Sequence, residues 1–149
     1  RCVDTARALA EGAGEPDASS EPEIEQVMSL VEPGCYVEDI SRVGPLFLKL
    51  GAMGFLNRHL QEEVDGLLTP AQGRIKILDY LRQREPPVGQ LAVHVTHDTI
   101  LMAFIAELQG LAEIDEQHWP WMMEGVWLWF EENTLHWVWR GERFEHNGI

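Results

Sequence analysis

The sequence predicts an α/β fold: a three-layer sandwich on a mostly parallel sheet, finished by an antiparallel C-terminal β-hairpin. Three observations carry that prediction. Leu91 to Thr96 reads as a buried strand feeding straight into an apolar helix from Thr99 to Leu108, two aromatic and β-branched runs close the chain, and helically spaced apolar residues fill the region before them. A length of 149 residues with 45% hydrophobic side chains suits a single domain around one core, residues 1–149.

From the start, Arg1 to Glu11 spaces Val3, Ala6, Leu9 and Ala10 helically, and Gly12 stands where a helix end takes up a left-handed residue. Gly12 to Glu23 is small, acidic and broken by proline, which predicts a surface loop. Ile24 to Leu30 reads as a short strand or a helical turn, and Glu32-Pro33-Gly34 as a turn before Tyr36 to Ile40. Val43, Leu46, Phe47, Leu50, Phe55, Leu56 and Leu60 recur at three and four residues, with Gly51 and Gly54 interrupting, so two short helices meeting at those glycines are expected. Thr69-Pro70 opens the next helix, with an N-cap hydroxyl and proline at the first helical position. Ile75, Leu78 and Leu81 carry its face to Arg84, and Pro86-Pro87 ends it.

At the C-terminal end, Val126 to Phe130 and Leu135 to Trp139, joined by Glu131-Glu132-Asn133-Thr134, predict the hairpin. Trp127 and Trp129 share one face of their strand, and Trp137 and Trp139 share one face of the next, so aromatic packing across the hairpin is expected. Trp119 and Trp121 are candidates for a pocket wall or a subunit interface, the latter suiting a homodimer, and Glu124 is a candidate to face the pocket.

A net charge of −14 repels nucleic-acid phosphates and anionic lipid, and the basic residues form no stripe to offset it. No apolar run reaches the roughly 18 to 20 residues a spanning helix needs. Neither nucleic acid nor a membrane is an expected partner. Cys2 and Cys35 lack the number for a disulfide framework and the spacing of a zinc site, so free thiols in a reducing, cytoplasmic compartment are expected, with no metal and no cofactor.

The residues richest in chemistry are Val93-His94-Val95-Thr96-His97-Asp98-Thr99. An imidazole and a carboxylate stand together at the C-terminal end of a strand and the start of a helix, the edge where α/β sheets bind ligands. The new helix offers amide groups and a positive dipole end to an anion. Phosphoryl transfer requires a clamp on the nonbridging oxygens and an acid for the leaving alkoxide, and His97 and Asp98 suit one role each. The plainer reading makes Asp98 a helix cap and His97 a polar residue closing a strand. His94, three residues before His97 on an extended strand, points the opposite way and reads as a subsurface histidine.

Thr96-His97-Asp98-Thr99 before an apolar helix resembles the second signature of the histidine phosphatase superfamily, in the His-Asp form of its acid phosphatase and phytase branch. Arg1-Cys2-Val3-Asp4-Thr5-Ala6 resembles the stretch in which an arginine before a Thr-Ala helix contacts phosphate. The resemblance spans nearly the whole chain. It implies a metal-independent phosphomonoesterase working through a phosphohistidine, with a small phosphomonoester or phosphate as ligand. Arg1 and His97 would bind the phosphoryl oxygens, and Asp98 would protonate the leaving group.

The family's first signature, Arg-His-Gly after the first strand, is missing from these residues. Arg58-His59 is followed by Leu60, lies in a helical pattern and comes after Arg1, so it does not qualify. The resemblance therefore implies a domain incomplete at its N-terminus, with its nucleophile upstream. Two alternatives stay open: a phosphomutase of the phosphoglycerate mutase branch, and a catalytically incomplete phosphate-binding or protein-interaction module of the same fold.

Overall fold

The computed structural model describes residues 1–13, 24–31 and 34–148. The predicted acidic loop lies almost wholly outside the described residues, as do Glu32 and Pro33 of the predicted turn.

Helix α1 spans Cys2–Gly12 and buries no residue. It continues through Gly12 and ends on Ala13 in right-handed geometry (φ −68°), so the expected left-handed ending at Gly12 does not form. The Ala13 amide still reaches the Leu9 carbonyl at 2.9 Å, which satisfies the helix end without a glycine conformation. Met28–Leu30 form a single 3-10 turn.

Helix α2 spans Ile40–Gln61, opened by Asp39, whose carboxylate accepts from the Ser41 amide. It is two helices meeting at Gly51, where φ 68° and ψ 172° are open to glycine at no steric cost. Helix α3, Pro70–Arg82, begins with a complete capping box: Thr69 and Gln72 each bond the other's backbone amide. Helix α4, Asp98–Gln109, ends on Gly110.

Helix α4 is the centre of the core. Ile105 and Ala106 are fully buried, and Met102, Phe104 and Leu108 nearly so. At about 1.5–3 kcal/mol for each large apolar side chain buried, this helix anchors the domain. Helices α2 and α3 pack on it. Leu135, Trp137 and Trp139 join the same core from the sheet.

That sheet comprises β1 (Trp127–Glu131), β2 (Thr134–Trp139) and β3 (Glu142–Asn147), antiparallel throughout and in sequence order. The predicted hairpin is therefore present, extended by β3 across the two-residue turn Arg140-Gly141, both residues at positive φ. The chain is α/β in composition, but the mostly parallel sheet of a three-layer sandwich is not formed among the described residues. Leu91 to Thr96 belongs to no strand, and it is not buried as expected: Leu91 and Val93 are 64% and 61% exposed. A β-branched run becomes a strand only when a neighbour takes up its backbone groups, and among the described residues no strand is paired with this segment.

The tryptophans also depart from expectation. Register pairs Trp129 with His136 and Trp127 with Val138, while Leu128 faces Trp137. Trp127 and Trp129 thus stand on the outer face, and Trp137 and Trp139 turn inward, so the two pairs do not pack on each other. Trp129 stacks instead on His136, and Trp137 on Phe144. Among the described residues, no helix is long and apolar enough to cross a membrane.

Candidate functional site

His97 is the N-cap of α4, in extended geometry, with no side-chain cap bond of its own. The first α-helical bond runs from the Leu101 amide to the His97 carbonyl at 3.0 Å. The amides of the first turn stand at the end of α4 that carries His97 and Asp98. Asp98 is exposed, yet both of its carboxylate oxygens are engaged. Oδ1 accepts from the Thr99 amide at 2.8 Å, and Oδ2 accepts from the indole N–H of Trp119 at 3.1 Å.

Trp119 is held in turn. The Arg140 guanidinium donates to the Trp119 carbonyl at 2.9 Å and to the Gln117 carbonyl, and grips Glu124 with two 2.8 Å bonds, one to each oxygen. Such a two-pronged contact fixes direction as well as distance. Glu124 closes the next turn by accepting from the Trp121 amide at 2.9 Å. Arg140's hydrogen bonds hold the Glu124 carboxyl below the usual carboxylate range. On the α4 side, the Asn57 side chain bonds both the amide and the carbonyl of Ile114, at 2.7 and 2.8 Å. The loop from α4 to β1 is thus pinned at both ends, and Trp119 carries its position to Asp98.

Approaching α4, the Thr96 hydroxyl donates to the Leu30 carbonyl at 2.6 Å, tying the approach to the 3-10 turn. His94 lies within hydrogen-bond reach of the Tyr80 hydroxyl, Nδ1 at 3.3 Å, and its ring meets Tyr80 edge-on. Burial first, then Arg84, pushes its pKa down. It plays no part in the His97–Asp98 arrangement.

The structure brings Trp119 to Asp98, next to His97. The Arg1 side chain is 95% exposed, and its α-amino group pairs with Asp4 of the same helix at 3.4 Å. Glu124 does not stand free toward a pocket, because its carboxylate is taken up by Arg140. Trp121 is 76% exposed at the turn, and Trp119 alone of that pair lies against the candidate acid. Arg140 was not singled out from the sequence. Among the described residues no three His, Cys, Asp or Glu are grouped to hold a metal ion, and Cys2 and Cys35 are free thiols.

A helix N-terminus and an imidazole in its protonated form can hold an anion, and the Asp98 carboxyl beside them, in its acid form, can give it a proton. No protein-family model, no curated protein and no solved structure matches the chain.

Proposed function

We propose that the chain belongs to a phosphomonoesterase of the histidine phosphatase type, with the attacking histidine supplied by residues outside these 149. The observation that supports this reading most is the Trp119-oriented carboxylate of Asp98, next to His97 at the opening of α4. In the scheme, the nucleophilic imidazole displaces the alcohol from phosphorus, and Asp98 delivers a proton to the departing oxygen. Water then releases phosphate from the phosphohistidine. His97 and Arg1 bind the nonbridging oxygens, together with the α4 amides. The scheme uses no metal ion.

The test is turnover of p-nitrophenyl phosphate and an alkyl phosphate by the purified protein that also carries the residues supplying the attacking histidine, with acid-labile phosphohistidine followed in parallel. His97→Ala is expected to lower turnover at least about 100-fold. Asp98→Asn is expected to lower alkyl phosphate turnover more than p-nitrophenyl phosphate turnover, since only the first needs a proton to leave. Full activity in both variants would sink the reading.

A second reading is a phosphate-binding or protein-interaction module without turnover. It is favoured by Arg1, which stands in solvent on a helix that buries nothing. Phosphate binding weakened by His97→Ala in a protein that forms no phosphohistidine would select it.

A further inference from the structure

The turn between β2 and β3 is made by Arg140 and Gly141, at φ 51° and 82°. Two-residue hairpin turns with both residues at positive φ favour asparagine or aspartate before glycine, because short polar side chains bond locally and offset the crowding of left-handed backbone. Arginine has no such local advantage. A non-glycine residue in that conformation is held there by its surroundings, and here the guanidinium is what they hold.

The guanidinium lies over the ring of Trp139, 5.2 Å from the centroid, and Trp139 belongs to the buried core. From that base it reaches the loop between α4 and β1 at three residues. It donates to the Gln117 carbonyl, to the Trp119 carbonyl at 2.9 Å, and to both carboxylate oxygens of Glu124 at 2.8 Å. Glu124 in turn accepts from the Trp121 amide. The main chain is thus held before Trp119, at Trp119 and after it, by a planar donor whose fork fixes orientation as well as position. From this fixed backbone the indole, partly buried against the core, reaches Oδ2 of Asp98 at 3.1 Å.

We propose that Arg140 is the positioning residue for Asp98: it sets the Trp119 backbone, and the Trp119 indole sets the carboxyl that protonates the leaving group. Asp98 is exposed, and a carboxylate in solvent samples several rotamers. The proposal rests on the phosphomonoesterase reading for the work of Asp98, and not for the chain of contacts that leads to it from Arg140.

Arg140→Asn tests it, since asparagine suits the turn and lacks the guanidinium. Glu124→Gln, which loosens the same grip from its other side, is measured beside it. Gly73→Ala, whose added Cβ would meet the Tyr36 ring, is the control for lost stability alone. All are made in the protein that also carries the residues supplying the attacking histidine, and compared at a temperature where circular dichroism shows them folded. Solvent exchange of the Trp119 indole N–H, followed by NMR and assigned by its loss in Trp119→Phe, is the first readout. It is expected to quicken at least about fivefold in Arg140→Asn, to a smaller extent in Glu124→Gln, and not in Gly73→Ala. Turnover is the second. Arg140→Asn is expected to lower alkyl phosphate turnover about fivefold and p-nitrophenyl phosphate turnover less than about twofold, and to add less than about twofold in the Trp119→Phe background. Gly73→Ala is expected to leave the ratio of the two rates unchanged. Unchanged indole exchange in the folded Arg140 and Glu124 variants would overturn the positioning role. So would equal losses on both substrates, or an Arg140→Asn loss that multiplies with that of Trp119→Phe. Faster indole exchange in a protein that turns over neither substrate would overturn the phosphomonoesterase reading and leave the contact chain standing.

Discussion

The indole N–H of Trp119 donates to Oδ2 of Asp98 across 3.1 Å, joining the loop before the sheet to the first residue of α4. An exposed carboxylate would otherwise sample several rotamers. This contact, with the Thr99 amide on the other oxygen, selects one.

Trp119→Phe keeps the aromatic bulk and removes only the donor. It is expected to lower alkyl phosphate turnover about tenfold, or about 1.4 kcal/mol in the barrier, with p-nitrophenyl phosphate changed less than threefold. An equal loss on both substrates would mean that Trp119 supports the fold rather than the acid.

Arg140 holds Glu124 and two carbonyls at once, with its side chain 31% and that of Glu124 20% exposed. Arg140→Ala is expected to destabilise the protein by about 1–3 kcal/mol, since partners are left partly buried and unpaired. Arg140→Lys is expected to recover little of this, because an ammonium cannot reproduce the fork. Urea midpoints of the two variants check both statements. The pair's contribution is present above the ordinary glutamate value of about 4.3 and disappears as pH falls through the depressed folded value.

His59 titrates in the folded protein near 4, below its unfolded value of about 6.5. Between those values the unfolded chain binds more protons, so stability falls as acid is added. His59→Phe removes both this linkage and the Nε2 that finds no partner among the described residues. It is expected to raise stability at pH 7 by about 1–2 kcal/mol, and its advantage over the parent is expected to widen by about 2 kcal/mol at pH 5. Urea unfolding at the two pH values measures it, and an advantage that narrows toward pH 5 contradicts the assignment.

Gly73 on α3 accepts the Tyr36 ring against its backbone, where an added Cβ would stand 2.0 Å from the ring edge. Tyr36 is buried, so the ring has little room to retreat. Gly73→Ala, helix-favouring in isolation, is expected to destabilise by about 3 kcal/mol. Thermal unfolding would show it as a lowered Tm.

What was legible in the sequence is what depends on a few neighbouring residues. Thr69 and Pro70 specify the start of α3 because cap and first-position proline act within one turn, while Gln72's half of the capping box showed only in the structure. Gly51 marks the break in α2 because few other residues adopt its backbone angles. The hairpin was legible for the same reason, although Glu131 and Thr134 join the strands and leave only Glu132-Asn133 as the turn, and so was the placement of His97 and Asp98 at the opening of a helix. Strand β3 was not, since Glu142 to Asn147 offers a single large apolar residue, Phe144, and its pairing with β2 comes from across the turn.

By itself, then, the sequence determined the helices, the hairpin and the presence of an imidazole and a carboxylate at the opening of α4. Tertiary structure decided that Leu91 to Thr96 joins no strand, that Trp137 and Trp139 point inward while Trp127 and Trp129 point out, and that Trp119 meets Asp98. Arg1 was left in solvent by the same level of organisation. Caps and turns are satisfied by atoms a few bonds away along the chain. A ladder, a sheet face or a 3.1 Å contact between residues 98 and 119 requires distant segments to be brought together, and only the packed core fixes which of them meet.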